Sequence, residues 1–195
     1  MNSQTTNNAT EVEERSPAEF AVLGILVHRN AHGYDVYREL TDCLGSVHRL
    51  GRSQVYGLLS RLERDGLIQH EHVEQERVPD KKVFSPTPEG RSLLDRWILT
   101  PVSNVRSLSV EFLTKLYFAG LKSPQTETEL LQAQLAVCRK RAELLEETLG
   151  TSLNSIECRA FEFRLGMVRY SITWLENMAA EAQSGAGDLP EEKGA

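Results

Sequence analysis

Three observations predict a mainly α protein with a small β wing, namely a winged helix-turn-helix followed by a helical arm. Three helical segments come before Gly66. Two short strands around a basic-tipped loop come next, and a fourth helix runs up to Pro101. Beyond Pro101 the patterns are all helical, and two of them carry the 4-3 spacing of packed helical seams.

The first helix has a clear start. Ser16-Pro17-Ala18-Glu19 joins an N-cap serine, a proline at the first helical position and a glutamate whose side chain can reach back to the cap. Phe20, Leu23, Gly24, Leu26 and Val27 make it almost wholly apolar, so it is expected to be buried and to stop before Asn30. Gly33 opens a second, amphipathic segment with Tyr34, Val36, Tyr37, Leu40 and Leu44 as apolar members and Gly45 just past its end. In the third, from Arg52 to Asp65, Val55, Leu58, Leu59 and Leu62 mark one apolar face. Ser53, Tyr56, Gly57, Ser60, Arg61 and Arg64 lie on the other, and Asp65-Gly66 stops the helix. LIQHEHVE then reads as a short strand, QERVPD as a turn, and Lys81 to Phe84 as a second strand. Thr87 and Pro88 cap the fourth helix, which contains Leu93, Leu94, Trp97 and Ile98.

Pro101 breaks that helix and marks the domain boundary. Val105, Leu108, Val110, Phe112, Leu113, Leu116 and Tyr117 predict one helix ending at Gly120. Ser123-Pro124 starts another, on which Leu131, Leu135, Cys138, Ala142, Leu145 and Leu149 form a 4-3 seam ended by Gly150. The last helix carries two seams. Ile156, Ala160, Phe163, Met167, Tyr170 and Trp174 form one; Phe161, Leu165, Val168, Ile172, Leu175 and Ala179 form the other. At about 100° per residue they point roughly 150° apart. A helix with two nearly opposite apolar stripes needs cover on both sides, and a second copy of the chain is the simplest cover for one of them. Phe161, Leu165, Val168, Ile172 and Leu175 are the expected dimerisation residues.

Composition narrows the function. A formal net charge of -6 excludes a binder of nucleic acid that works by bulk positive charge, so any DNA contact needs a local basic patch. Cys43, Cys138 and Cys158 are odd in number and widely spaced, which argues against a disulfide framework or a cysteine zinc site and fits a reducing, cytoplasmic compartment. No apolar run approaches the roughly 20 residues that span a bilayer, so no membrane partner is expected. His70-Glu71-His72 puts two imidazoles on one strand face without a third ligand, so neither a metal nor a cofactor is expected. No Ser-His-Asp order, glycine-rich phosphate loop or paired-carboxylate pattern stands out, so the chain is not expected to be an enzyme. The organisation expected is a disordered tail over 1–15, the winged helix-turn-helix over 16–100, a helical dimerisation and effector region over 101–183 and a second disordered tail over 184–195.

Four stretches resemble the PadR family of transcription regulators. They are Ala21-Val22-Leu23-Gly24-Ile25-Leu26 leading into Ala31-His32-Gly33-Tyr34-Asp35-Val36; the run from Val55 to Ile68, with Tyr56, Leu59, Leu62, Glu63, Gly66 and Leu67 as its pattern; Lys82 to Gly90; and Glu111 to Ala119. The similarity runs from about residue 18 to about residue 180. At the approach to the third helix this chain has Gly51-Arg52-Ser53 where the family often has a Ser-Pro-Gly start. The resemblance implies a homodimer carrying a winged helix, usually a repressor.

A recognition helix presents its N-terminal outward residues to base edges in the major groove. Here those are Arg52, Ser53, Gln54, Tyr56 and Gly57. Arginine can bond guanine through two donors, and glutamine can do the same with adenine. Gly57 lets a backbone approach closely, and Tyr56 suits a phosphate. Arg61 and Arg64 lie further along and can touch backbone or stay solvated, and Arg61 can instead pair with Asp65. In the wing, Arg77, Lys81 and Lys82 suit phosphate or minor-groove contact. Tyr117, Phe163, Tyr170 and Trp174 are candidates for a small-molecule effector pocket, against the plainer reading that aromatics on helical seams are core. The partners expected are double-stranded DNA, a second copy and a possible small-molecule effector. The function expected is a ligand- or signal-responsive repressor. The alternatives are an activator that needs a second DNA-bound partner, and a helical interaction module that binds protein rather than DNA.

Overall fold

The computed structural model describes residues 15–75, 78–151 and 154–184, with the side chains of 72–81 also outside the described set. The tails expected at 1–15 and 184–195 lie outside the described residues, apart from Arg15 and Ser184. The elements are α1 (Pro17–His28), β1 (Ala31–His32), α2 (Gly33–Leu44), α3 (Arg52–Arg64), β2 (Ile68–Gln75), β3 (Val78–Pro86), α4 (Pro88–Leu99), a 3-10 turn (Val105–Ser109), α5 (Glu111–Lys122), α6 (Pro124–Leu149) and α7 (Ser155–Ser184). No described helix is long and apolar enough to cross a membrane.

The described chain divides into two compact units. The first holds the residues up to Ile98 together with Leu113–Phe118; the second holds Leu99–Phe112 and the residues from Ala119 onward. The sequence pattern put all of α5 beyond a boundary at Pro101, yet its central turns belong to the first unit. Burial explains this: Thr114, Lys115 and Phe118 are all buried, and the Phe118 ring fills the hollow over Gly24, where an added Cβ would lie 2.4 Å from Cζ.

In the first unit α1 is the central helix. Its capping box is formed: the Ser16 side chain accepts from the Glu19 N–H, and the Glu19 carboxylate accepts from the Ser16 N–H at 2.9 Å. Phe20 to Leu26 are buried along its whole circumference. The Phe20 ring stacks on Trp97 of α4 with centroids 4.2 Å apart. Helices α2 and α3 each bury one stripe against α1. Gly66 ends α3 at φ 72°, a left-handed conformation that favours glycine. The Gly66 N–H donates to the Glu63 carbonyl and the Leu67 N–H to the Leu62 carbonyl, which satisfies two of the helix's last carbonyls.

The sheet has three antiparallel strands in the order β1-β3-β2, where the sequence showed two. The missed strand is only two residues long; Ala31 pairs with Phe84 and His32 with Val83. Strand β3 is also longer than the expected Lys81 to Phe84, because pairing with β2 carries it from Val78 to Pro86.

In the second unit the single helix expected from Val105 to Gly120 is two elements. Asn104 caps a 3-10 turn by accepting from the Arg106 N–H, and Val110, at φ -125° and ψ -64°, interrupts the helix. Gly120 does not stop α5. Ser123, held extended at φ -172° and ψ 153° before Pro124, does. Helix α7 packs along α6, rimmed by Arg139–Glu176 and Arg169–Glu146 ion pairs at 2.8 Å.

That packing settles which seam of α7 faces inward, and it corrects one expectation. Leu165, Val168 and Leu175 are buried in the chain's own core, with Phe161 and Ile172 half-buried beside them. Three of the five expected dimerisation residues are thus taken up by their own chain, and Phe161 and Ile172 are partly so. The other seam is the uncovered one: Ile156, Phe163 and Tyr170 are 70%, 69% and 74% exposed, and Met167 is exposed as well.

Candidate nucleic-acid interface

Helix α3 carries the candidate site because its buried stripe is narrow. Val55, Leu58, Leu59 and Leu62 go into the core, which leaves Arg52, Ser53, Gln54, Tyr56, Gly57, Arg61 and Arg64 on the exposed side. Its N-terminal turn is free of acidic side chains. The seven α3 residues named from the sequence therefore share one exposed surface, but their surroundings differ.

Arg52 is the one held on aromatic rings. Its guanidinium carbon lies 5.3 Å from the Tyr34 centroid and 5.8 Å from the Tyr37 centroid, both on α2. Such cation–π contacts are worth about 0.5–1 kcal/mol at exposed sites and restrict a long side chain to few rotamers. Gln54 is engaged as a cap: its Oε1 accepts from the Gly51 N–H at 2.8 Å. Tyr56 lies across Gly33, where an added Cβ would sit 2.7 Å from Cε1, while the residue keeps 43% exposure. A side chain at Gly57 would meet nothing within 4 Å. No contact within the described fold requires glycine there.

The two later arginines each have a carboxylate partner. Arg61 lies 3.6 Å from Glu19 rather than on Asp65, and Arg64 lies 3.1 Å from Asp65. Asp65 also receives Arg15 at 2.9 Å. Partial burial pushes the Asp65 carboxyl up, but the hydrogen bonds and charges of Arg15 and Arg64 outweigh that and leave it below its usual range.

In the wing, Lys82 is exposed, and its carbonyl accepts a hydrogen bond from His32 Nδ1 at 3.1 Å. Arg77 and the Lys81 side chain lie outside the described residues. His70 Nδ1 is hydrogen-bonded to Glu63 Oε1, while the His72 side chain is outside the described set.

Tyr117 belongs to the first unit and meets Phe118 edge-on at 5.1 Å; Trp174 meets Phe112 edge-on at 6.2 Å. Phe163 and Tyr170 are exposed. Trp174 and Tyr117 each pack against a neighbouring ring.

Sequence reasoning missed Tyr34 and Tyr37 as neighbours of the site and counted them as apolar members of α2. A signal was present for Tyr34. Val36, Leu40 and Leu44 are the buried stripe, and Tyr34 lies two residues before Val36, about 200° round the helix, which turns it outward. His48, in the connection before α3, was also missed. It is buried, with Nε2 2.8 Å from the Thr114 hydroxyl.

Burial lowers the His48 pKa from its ordinary 6.5. The unfolded chain then takes up a proton first as pH falls. The stability that neutral His48 contributes is complete above the unfolded value and is lost as pH drops toward the folded one. Urea denaturation of the full chain is expected to show stability falling as pH drops below about 6.5, with a shallower fall in His48→Gln. An unchanged slope in His48→Gln would place the pH response elsewhere.

Residues 22–96 match the profile of the transcriptional regulator PadR-like family. The chain carries a PadR-like domain. That domain spans α1 through most of α4 and so contains α3 and the wing. The negative transcriptional regulator PadR of Bacillus subtilis is 28% identical to this chain over 133 residues, which is 68% of this chain and 71% of the relative. The crystal structure of Bacillus subtilis PadR with operator DNA is similar at a TM-score of 0.43 and 22% identity, over 83% of this chain and 96% of that one. The structure of the same protein with p-coumaric acid is similar at a TM-score of 0.40 and 22% identity, over 86% and 99%.

Proposed function

We propose that this transcriptional regulator is a homodimeric, sequence-specific DNA-binding repressor that responds to a small molecule. The observation that carries the reading is the exposed N-terminal turn of α3: Arg52 pre-positioned on Tyr34 and Tyr37, beside a Gly57 that is bare for no internal reason. Arg52 reads a base edge, the natural partner being guanine. Gln54 joins it only by giving up its bond to the Gly51 N–H. Ser53, Tyr56, Lys81, Lys82 and Arg77 serve the phosphates. Arg61 and Arg64, paired with Glu19 and Asp65, contribute least. The reading head is the first unit, including the central turns of α5, and the second unit is the dimerisation and effector region. Its support from relatives is that the Bacillus subtilis protein is a negative regulator, crystallised with operator DNA and with p-coumaric acid.

The second copy covers the outward seam of α7, through Ile156, Phe163, Met167 and Tyr170, because a stripe of large apolar side chains on a long helix is a costly surface to leave in water. A two-fold dimer reads a two-fold repeat with half-sites about one helical turn, 10–10.5 bp, or a multiple of it apart. Inserting 5 bp between half-sites turns one by roughly half a turn and is expected to remove most of the specific affinity. The measurement is a mobility-shift titration at fixed salt on the native and the expanded site. Equal affinity for both would mean that the heads bind independently, and the coupled dimer would have to be given up.

A further inference from the structure

Helix α3 begins without a side-chain cap of the usual kind. Its N-cap is Gly51, which has no side chain to accept from the first free N–H groups of the helix. The bond from the Gly51 N–H to Gln54 ties the cap to the helix itself, not to the rest of the fold. Beyond the buried stripe of α3, the placement of Arg52 therefore depends on the connection from α2, residues 45–51. That connection starts in a turn, in which the Val47 and His48 N–H groups donate to the Leu44 carbonyl at 2.9 and 2.7 Å. Among residues 45–51 only His48 is buried. Its Nε2 lies 2.8 Å from the hydroxyl of Thr114, a fully buried residue of α5, and both residues belong to the first unit. Thr114 lies beyond the 22–96 span of the PadR-like domain, so the reading head is held from outside that span. An aliphatic pair would fill the same space at less cost, since burying polar groups costs free energy unless they are paired. What the polar pair adds is direction: a hydrogen bond holds at one distance and one angle, where apolar contact lets neighbours slide.

We propose that His48 and Thr114 are positioning residues for DNA reading: their buried bond fixes the turn that enters α3, and so where the Arg52 guanidinium meets a base edge. The three residues between His48 and Arg52 are in no helix or strand, and a connection this short passes on the position of its one buried anchor. The rings of Tyr34 and Tyr37 hold the far end of the Arg52 side chain. Arg52 is thus set at its backbone from α5 and at its guanidinium from α2. His48 and Thr114 are too buried to touch DNA themselves. The inference rests on the reading of Arg52 as a base-contacting residue and adds the residues that aim it.

The test is a double-mutant cycle on the full chain. Mobility-shift titrations at fixed salt measure affinity for the duplex that the wild type selects from a random pool and for a scrambled duplex of the same length. Thr114→Val keeps the shape of the side chain and removes the hydroxyl. It is expected to weaken the selected duplex by about tenfold, within the range of coupling between residues that act as a unit. The scrambled duplex, held by phosphate contacts alone, is expected to stay within about twofold. Thr114→Ser keeps the hydroxyl and is expected to bind like wild type. Thr114→Val with His48→Leu removes both polar partners and leaves no orphaned group in the core. That chain is expected to be close to wild type in urea stability and still to lose about tenfold on the selected duplex, which separates aiming from folding. In an Arg52→Ala chain, Thr114→Val is expected to cost little further, because the residue it aims is gone. An equal loss with and without Arg52 would overturn the inference and leave the base reading of Arg52 standing. A selected duplex indifferent to Arg52→Ala alone would overturn that reading itself. Full specific affinity in the chain with both replacements, or parallel losses on both duplexes, would reduce the bond to packing and overturn the positioning role.

Discussion

Trp97→Ala is expected to destabilise the first unit by about 3–5 kcal/mol. The side chain is only 2% exposed, and it links three elements of that unit. Its ring stacks on Phe20 of α1 with an interplanar angle of 7°, and Lys115 Nζ of α5 lies 4.9 Å from its centroid. Truncation leaves a cavity on one side and uncovers a buried ammonium on the other, since Lys115 is itself only 1% exposed. The total stability of a domain is about 5–15 kcal/mol, so a loss of this size moves the denaturation midpoint far down. Urea unfolding of the full chain reads it directly. A loss below about 1.5 kcal/mol would show that the site collapses around the missing ring, and the packing account would need revision.

The second large effect is a contrast between the two seams of α7. Leu165→Glu places a carboxylate on the buried seam of α7, where Leu165 is only 6% exposed, and burying a charge costs several kcal/mol. That variant is expected to lose helicity in the arm. Phe163→Glu with Tyr170→Glu puts the same charges on the outward face, which is open in the single chain. It is expected to keep its circular dichroism and to run as a monomer by light scattering. A folded dimer from the second variant would move the dimer interface off this seam, and an unchanged Leu165→Glu chain would contradict the inward packing.

The contrast also shows where the amino-acid pattern stops informing. Both stripes of α7 have the same spacing and similar apolarity, and periodicity on one helix says nothing of which stripe meets α6. That choice depends on the direction in which α6 returns, set by contacts far apart in the chain. The start of α1 was legible because Ser16, Pro17 and Glu19 act within one turn, and the turn after α3 was legible because Asp65-Gly66 is local too. Strand β1 was not, because two residues carry no alternation and Ala31 and His32 are strand only through Phe84 and Val83. The break at Val110 was hidden by continuous apolar spacing on both sides. On α3 the sequence identified the exposed face but not its inner differences. The capping bond of Gln54 is within three residues and was readable in principle; the rings beneath Arg52 and the Glu19 partner of Arg61 come from other helices.

The central claim is that Arg52 reads a base. Its most direct test is binding-site selection from random duplex DNA with the wild-type chain and with Arg52→Ala, followed by titration of the winning sites across a salt series. The wild type is expected to select a two-fold motif. Arg52→Ala should then bind that site more weakly by about 1–3 kcal/mol and lose preference at one base position in each half-site, while its salt slope changes little. The same motif at the same strength from both proteins would contradict the account.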